Sequence, residues 1–309
     1  MFFFRKSKFL YELYNFFNYS KLKRNIPFYR KLGLNKKYFS SISNKDFKSA
    51  NSSLITPSQK EIDVINTEFQ KLPQSIKEDV RFFTNDGYAI IKSFFAEDYV
   101  EAINNEIERM LESGEVSFKY QNKIMFAIHK SDLINKMGSD KKLMTILNYL
   151  QKDNTTLFQS INFLTGSNQK THSDAIHMST FPKGKMIAVW VALEDMNIEN
   201  GPLHYYPGSH RLPYVMNEDF GNIGGRFWLG PKDYSDYEHK IQEIIEEKGL
   251  KKKVFIAAKG DVLIWHANIL HGGEKVNDPE LTRKSVVFHY YADNCIAFHE
   301  ITERPTFRN

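Results

Sequence analysis

Hydrophobic positions along the chain follow a helical period in the first half and a strand-like pattern in the second. Val100, Ile103 and Ile107 fall on one face of a segment that predicts a helix from Ala96 to Ser113. From Thr155 onward, short apolar runs alternate with turns rich in Gly, Pro and Asn. Closely spaced short strands of this kind are typical of a β-sandwich or β-barrel. The pattern therefore predicts a mainly β fold with flanking helices.

The individual elements follow from the same periods. Further helices are predicted from about residue 58, at 139–151 and around 235–249. Strands are predicted at 88–94, 156–164, through the segment that contains His172, and at 186–193, 253–257, 260–265 and 284–291.

The first forty residues combine aromatic and basic side chains. Residues 1–50 hold twelve Lys or Arg against two acidic residues, so this segment accounts for the net charge of +5. Phe9, Leu13 and Phe16 fall at helical spacing, and a basic amphipathic helix can lie on an anionic membrane surface. The alternatives are aromatics that pack onto the rest of the protein, or a transit peptide. We expect no nucleic-acid binding, because no recognition motif accompanies the charge.

Composition limits the class of protein further. The hydrophobic fraction of 41% and the aromatic fraction of 14% are sufficient for a packed core. A single cysteine, Cys295, excludes an intramolecular disulfide and suits a reducing compartment. No apolar run reaches 18 residues, so the sequence predicts no transmembrane helix. We expect a cytoplasmic protein, with peripheral membrane contact through residues 1–40 as an addition to that location.

Three short arrangements carry candidate chemistry. His172 and Asp174 are two residues apart, so in a strand their side chains share a face. One His and one carboxylate suit a first-row metal, and a second His would complete the facial triad of a non-heme Fe(II) oxygenase. An apolar strand that runs into His271 and two glycines offers that ligand. Arg283 can bind a carboxylate bidentately, and Ser285 lies on the same strand face.

A series of motifs extends these arrangements from about residue 80 to 295. In order, they are Phe83-x3-Gly87-Tyr88, Thr171-His172-Ser-Asp174, Ala188-Val-Trp190-Val-Ala-Leu-Glu-Asp195, Asn200-Gly-Pro-Leu203, Tyr206-Pro-Gly-Ser-His210-Arg211, Gly260-Asp261, His271-Gly272 and Arg283. Taken together, they resemble the phytanoyl-CoA dioxygenase (PhyH) family of Fe(II)/2-oxoglutarate-dependent oxygenases. The likeness leaves out only the N-terminal extension and the extreme C-terminus.

This resemblance implies a double-stranded β-helix (jelly-roll, cupin-like) core with helices packed on it. It implies an Fe(II) site at His172, Asp174 and His271, with 2-oxoglutarate on the iron and its far carboxylate on Arg283. The implied reaction is hydroxylation of an unactivated C–H bond of a small organic or lipid-like substrate. O2 is the second co-substrate, and succinate and CO2 are released. Related halogenases replace the carboxylate ligand by a small residue, so Asp174 favours hydroxylation.

The resemblance also divides the chain. Residues 1–57 form a basic, aromatic N-terminal extension that ends in a linker rich in Ser and Asn at 40–57. Residues 58–309 form the dioxygenase domain, with a helical part at 58–152 and the jelly-roll core at 153–295.

Several residues have weaker assignments. Gln159 and Trp190 are carried over from the resemblance as contacts of the co-substrate. Ser285 as a helper of Arg283 is an inference from strand phase alone. His266 is the alternative to His271 as the third ligand, but the family pattern places that ligand directly before Gly. The remaining histidines are expected in structural, substrate-side or solvent-facing positions: His129, His177, His204, His210, His239, His289 and His299.

Other functions share some of these residues. The same iron site can support desaturation or epimerisation. A cupin-like protein can bind metal or ligand without catalysis. A mononuclear zinc hydrolase also uses two His and one Asp, but it has no evident need for Arg283. A small-molecule substrate is expected in every catalytic case.

Overall fold

A computed structural model of the chain describes residues 6–120 and 122–308. Its strands are β1 (Tyr88–Ile91), β2 (Phe118–Lys119), β3 (Lys123–Met125), β4 (Thr155–Phe163), β5 (Ser179–Phe181), β6 (Met186–Ala192), β7 (Leu203–Tyr205), β8 (Lys253–Phe255), β9 (Val262–His266), β10 (His271–Gly273), β11 (Ser285–Ala292), β12 (Ile296–His299) and β13 (Arg304–Pro305). Its α-helices are α1 (Lys8–Phe16), α2 (Tyr19–Leu22), α3 (Asn25–Lys31), α4 (Gln59–Gln70), α5 (Gln74–Val80), α6 (Phe83–Asp86), α7 (Glu97–Glu112), α8 (Asp132–Gly138), α9 (Lys141–Gln151) and α10 (Tyr234–Lys248).

Side-chain caps fix where several helices begin. Ser58 and Glu61 form a capping box at the start of α4, in which the Glu61 carboxylate accepts the Ser58 N–H at 2.7 Å. Asp140 caps α9 by accepting the Leu143 N–H at 2.9 Å. The predicted helices over 96–113, 139–151 and 235–249 are confirmed by α7, α9 and α10.

The strands form one large sheet and two small ones. Seven antiparallel strands pair in the order β1-β9-β6-β11-β4-β3-β2. A second sheet pairs β10, β7 and β8, and a third pairs β13, β12 and β5. Trp190 and Trp265 of the large sheet share one core cluster with Leu203 and Tyr205 of the second sheet. The cluster places two sheets face to face, which confirms the predicted jelly-roll core.

The centre of the large sheet is buried on both sides. Every residue of β6 is buried. On the outer face, Val189 and Ile264 pack into a cluster with Ile103 of α7 and Ile146 of α9. The continuous apolar run of β6 follows from this double burial, because neither face of the strand meets water. The helices thus cover one face and leave the other for the site.

The prediction of a strand through His172 is wrong. His172 pairs with His271 in an isolated antiparallel bridge, and Asp174 begins a single 3-10 turn that ends at Ile176. Ser173 between them is extended, with φ −112° and ψ 145°. One extended residue is enough to place its two neighbours on the same side of the chain, so the predicted pairing of the two side chains survives.

The first helix of the N-terminal segment packs through its polar side. Ser7 forms a β-bridge with Trp228, and the Lys8 Nζ atom lies 2.6 Å from a Glu303 carboxylate oxygen. Lys8 and Asn15 are the buried residues of α1, whereas three of its aromatics, Phe9, Tyr14 and Phe16, are exposed. Further along the segment the packing alternative holds, because Leu22 and Tyr29 are buried and Tyr29 packs with Phe298 of β12.

The residues predicted as a linker also pack against the body. Phe47 stacks on Phe181 with ring centroids 4.4 Å apart, and Ile42 and Ile55 are buried. Ser and Asn at 40–57 start short 3-10 turns here and do not keep the chain flexible. No helix within the two described ranges is long and apolar enough to cross a bilayer.

Candidate metal centre and co-substrate site

Three predicted ligands meet between the two facing sheets. The Nε2 atoms of His172 and His271 lie 3.9 and 3.7 Å from Oδ1 of Asp174. One ligand atom from each residue lies within 4.8 Å of the other two, and all three side chains are buried. Backbone hydrogen bonds of 2.9 Å in both directions between His172 and His271 hold the two histidines together. Two imidazoles and one carboxylate in this arrangement fit a first-row metal ion.

Hydrogen bonds select the ligand atom of each imidazole. The Nδ1–H of His172 donates to the Lys170 carbonyl oxygen at 2.8 Å, and that of His271 donates to the Ile269 carbonyl oxygen at 3.1 Å. Each Nε2 is then unprotonated in the neutral ring and faces the centre. Burial lowers the pKa of His172 to about 3, so its ring stays neutral at physiological pH.

The carboxylate is oriented by an indole. Trp265 Nε1–H donates to Oδ2 of Asp174 at 2.8 Å, which leaves Oδ1 toward the two histidines. Burial by itself would raise the pKa of Asp174, but the surrounding imidazoles lower it below its usual value. The carboxylate is therefore ionised and aimed, as a metal ligand must be.

The bridge between the histidines requires a glycine. A Cβ on Gly272 would lie 2.7 Å from the Gln169 carbonyl oxygen and 2.8 Å from the His204 ring. The Nε2 atom of His204 lies 2.8 Å from the Thr171 hydroxyl oxygen, and its Nδ1 atom lies 2.7 Å from a Glu274 carboxylate oxygen. The glycine thus permits the close approach of two segments of the chain. His204 contacts Thr171, the residue before the ligand His172.

Arg283 lies buried beside this centre and is 2% exposed. Its Nε atom has no hydrogen-bond partner among the described residues, and its guanidinium lies 5.4 Å from the Phe163 ring. Burial lowers its pKa to about 10. A buried guanidinium without a carboxylate partner is costly. Its side chain lines the same cavity as the three metal-site residues, so it fits the carboxylate of a dicarboxylic co-substrate.

The cavity around these groups has a volume of about 460 Å³. Gln159 and Trp190 both line it, as the resemblance implied, and the Trp190 N–H has no partner within the described part of the chain. Ser285 is not among the lining residues. It is fully buried, and its hydroxyl lacks a partner among residues 6–120 and 122–308. Its place on the strand face of Arg283 keeps the helper role a prediction.

Three histidines that the sequence did not single out also reach the cavity. His177 lines it because the 3-10 turn after Asp174 rotates the chain, whereas a regular strand would have pointed this side chain away. Its Nδ1 lies 3.1 Å from Nε2 of His299, which lines the cavity as well. His289 lines it from β11, with its Nε2 atom 3.9 Å from Asp174 Oδ2. For His289, the period of β11 was a usable signal, because Val287 and His289 share a face.

His266 does not reach the cavity. It ends β9, and its Nδ1 accepts the Asn268 N–H at 3.1 Å while its ring lies edge-on to His210. Burial lowers its pKa to about 4. The residue predicted as the alternative third ligand is therefore a turn-stabilising histidine.

The long segment between β7 and β8, residues 212–250, contacts the residues that carry the ligands His172 and Asp174. Helix α10 packs Tyr237 into a cluster with Ile176, and the Tyr237 hydroxyl accepts the Ser173 N–H at 3.0 Å. No residue of this segment is among those that line the cavity. The helix thus fixes the position of the residue between His172 and Asp174.

Comparison with known families gives one match. The model of the family described as Phytanoyl-CoA dioxygenase (PhyH) matches residues 83–284. This range includes all three metal-site residues and Arg283, and it excludes residues 1–82 and 285–309, which contain β11, β12 and β13.

Two curated relatives are similar over most of the chain. Phytanoyl-CoA dioxygenase domain-containing protein 1 of Danio rerio is 27% identical over 224 residues, which cover 67% of this chain and 72% of that protein. Ectoine dioxygenase of Stutzerimonas stutzeri is 26% identical over 252 residues, which cover 74% of this chain and 82% of that protein.

A solved structure shares the fold. The epimerase SnoN from nogalamycin biosynthesis, in complex with Fe3+, alpha ketoglutarate and nogalamycin RO, superposes with a TM-score of 0.55 at 20% identity. The superposition covers 73% of this chain and 86% of that chain. At this identity the likeness concerns the fold.

Proposed function

Because the chain belongs to the phytanoyl-CoA dioxygenase (PhyH) family, it is a non-heme Fe(II)- and 2-oxoglutarate-dependent dioxygenase, and we propose that it hydroxylates an unactivated C–H bond of a small organic or lipid-like substrate. The observation that carries this proposal is one cavity that holds both a His-Asp-His cluster and a buried guanidinium whose Nε has no hydrogen-bond partner among residues 6–120 and 122–308. A zinc hydrolase explains the first feature and leaves the second unexplained.

His172, Asp174 and His271 would hold the iron, since each offers one aimed and unprotonated ligand atom. Arg283 would bind the far carboxylate of 2-oxoglutarate from a buried position. The bound iron supplies the activation of O2, coupled to decarboxylation of 2-oxoglutarate to succinate and CO2. The carboxylate position that halogenases leave open is filled by Asp174, which favours hydroxylation.

The rest of the cavity would position the substrate. Its lining includes an apolar part, to which Met125, Ile161 and Val287 belong. Such walls bind a hydrocarbon portion of the substrate and keep bulk water from the reacting carbon. Gln159 and the His177–His299 pair add polar groups for orientation.

A product analysis tests the proposal. The purified protein is incubated with Fe(II), 2-oxoglutarate and a metabolite extract under air, and the products are compared by mass spectrometry with those of Asp174→Ala. A compound that gains one oxygen atom, only with 2-oxoglutarate and only in the wild type, is the expected result. Loss of two hydrogens would identify desaturation, and an isomer of unchanged mass would identify epimerisation. Identical extracts from both proteins would overturn the catalytic proposal.

We further propose that the N-terminal segment contacts an anionic membrane surface. Phe9, Leu13, Phe16 and Phe17 are 59%, 47%, 50% and 76% exposed, although they could have been buried against the body. Exposed basic residues follow directly, including Lys21. Aromatic side chains beside a cationic segment match the apolar and anionic layers of a bilayer surface.

Vesicle co-sedimentation tests this contact. The double variant Phe9→Ser/Phe17→Ser should bind phosphatidylglycerol vesicles more weakly by a factor of about ten or more. Each Phe side chain that inserts halfway into the bilayer surface contributes about 1 kcal/mol to binding. The control is Phe82→Ser, which removes a 50% exposed Phe from the body. Equal binding by all variants, or no binding by the wild type, would contradict the membrane contact.

A further inference from the structure

A second cavity adjoins the metal cavity. Its volume is about 1200 Å³, and Tyr120, Met125 and Gln159 line both spaces. We call the second cavity the side groove. The three shared side chains place the two spaces side by side.

The side groove is built partly by segments outside the family match. Lys21 comes from the N-terminal extension and Phe307 from the C-terminus, whereas the match covers residues 83–284. The two segments hold each other: the Arg308 N–H donates to the Lys21 carbonyl oxygen at 3.3 Å, and the Lys21 Nζ lies 5.6 Å from the Phe307 ring centroid. The groove is thus a property of this chain more than of the shared core.

Three lysines give the groove an unbalanced positive charge. Lys21, Lys119 and Lys130 line it, are exposed, and make no ion pair with any residue of 6–120 or 122–308. Its one acidic side chain, Glu115, is already engaged at 2.7 Å by Arg109. The lysines are therefore available to an anion from solution.

The remaining lining residues are of mixed character, with polar groups from Ser117, His129 and Thr156 and an apolar strip beside them. Val116, Leu157 and Phe158 line the groove, and the Phe158 ring is stacked at 4.0 Å on the buried Tyr291 ring. Phe126 is 41% exposed here, in a left-handed backbone conformation that starts a 3-10 turn. An exposed aromatic beside a stacked, fixed one offers a binding surface for a hydrocarbon chain.

Volume decides how a substrate would be divided between the two spaces. The metal cavity of about 460 Å³ must hold 2-oxoglutarate beside the substrate. Ligand sites of this kind usually enclose about 300–1,000 Å³. A substrate larger than a few carbon units would therefore extend through the shared residues into the side groove.

We propose that the side groove binds the remote part of an amphipathic, anionic substrate. An apolar chain would lie along Val116, Leu157 and Phe158, and its carboxylate or phosphate would lie among Lys21, Lys119 and Lys130. The reacting carbon would then sit in the metal cavity. This assignment rests on the proposed dioxygenase function for its meaning as a substrate site. It also gives the extension a role in substrate binding, because Lys21 belongs to it.

Calorimetric titration of the full-length protein under argon, with Fe(II) and 2-oxoglutarate present and absent, tests the groove. The probes are octyl phosphate, dodecyl phosphate, dodecanoate and neutral dodecylglycerol, each below its micelle-forming concentration. Dodecyl phosphate should bind more tightly than octyl phosphate and dodecylglycerol. The comparison with dodecanoate distinguishes a phosphate from a carboxylate ligand.

Charge variants locate the site. The triple variant Lys21→Gln/Lys119→Gln/Lys130→Gln should bind dodecyl phosphate about tenfold more weakly, since each exposed ion pair contributes a factor of about 1.5 to 5. Its affinity for dodecylglycerol should not change. The matched control substitutes three exposed lysines that line neither space: Lys60→Gln/Lys141→Gln/Lys251→Gln.

The outcomes separate this inference from the dioxygenase function. Asp174→Ala should bind dodecyl phosphate as the wild type does, because the carboxylate lies outside the groove. Charge-dependent binding without turnover that depends on iron and 2-oxoglutarate would support ligand binding in the side groove and contradict the dioxygenase activity. Three results would overturn the proposal that the side groove binds an amphipathic anion. They are an unchanged affinity of the lysine triple variant for dodecyl phosphate, equal affinities of the wild type for dodecyl phosphate and dodecylglycerol, and no binding of any probe.

Discussion

Arg283→Met separates what Arg283 does for binding from what it does for stability. The guanidinium is buried, lacks a partner for Nε within the described residues, and has its pKa lowered by burial to about 10. Methionine keeps a flexible apolar side chain of similar length and removes the charge. The substitution should therefore stabilise the protein without co-substrate and weaken co-substrate binding.

Both magnitudes follow from the structure. At about 1.4 kcal/mol per pKa unit, the lowered pKa corresponds to about 3 kcal/mol of unfavourable charge burial. Loss of the guanidinium contact with the Phe163 ring offsets about 1 kcal/mol of that. The free energy of unfolding should rise by about 1–2 kcal/mol. Loss of a buried ion pair with a carboxylate costs about 2–5 kcal/mol, so the affinity for 2-oxoglutarate should fall by a factor between about 30 and several thousand.

Two assays check the pair of effects. Urea unfolding, followed by tryptophan fluorescence, measures the stability of the protein without 2-oxoglutarate, and anaerobic calorimetry measures the affinity for 2-oxoglutarate. The control is Arg81→Met, which removes an exposed guanidinium stacked at 4.4 Å over Phe82 and should alter neither quantity by much. An Arg283→Met protein that is less stable and binds 2-oxoglutarate normally would refute the reasoning.

The remaining predictions concern the metal site and the extension. His271→Ala should abolish stoichiometric Co(II) binding in equilibrium dialysis, whereas His266→Ala should retain it; the reverse would show that the wrong histidine was chosen. Trp265→Phe removes the hydrogen bond to Asp174 and should weaken Co(II) affinity about 10- to 100-fold with little change in fold by circular dichroism; unchanged affinity would contradict that role. Lys8→Met leaves the buried Glu303 carboxylate with Lys45 as its remaining partner at 3.1 Å and should lower the free energy of unfolding in urea by about 3 kcal/mol; an unchanged free energy would contradict a stabilising role of Lys8.

Much of the fold could be predicted from the sequence because its longest elements have clear periods. The apolar run of β6 and the amphipathic face of α7 report directly on their burial. The linker was misjudged because Ser and Asn favour flexible segments and short capped turns equally. Only the tertiary contact of Phe47 with Phe181 decides between those two structures.

The site was predictable where spacing or order carried the information. His172, Asp174, His271 and Arg283 were found because their motifs have fixed spacing and order along the chain. His177 was predicted to be a substrate-side or structural residue, and it lines the cavity because a single 3-10 turn after Asp174, which no local signal announces, rotates its side chain toward the ligands.

Two further features depended on contacts distant in sequence. His299 meets His177 across 122 positions of sequence, and no periodic pattern records such a pair. The buried Lys8 was also unpredictable, because an isolated lysine is ordinarily solvated and its carboxylate partner is Glu303, near the other end of the chain.

An anaerobic spectroscopic titration tests the central claim most directly. Fe(II) is added to the metal-free protein, followed by 2-oxoglutarate, with Asp174→Ala and Arg283→Ala measured in parallel. We expect a visible charge-transfer band when 2-oxoglutarate is added to the iron-loaded wild type, and a weaker band in both variants. The absence of a band at saturating iron would contradict the dioxygenase function and favour a zinc-dependent or non-catalytic role for the same three ligands.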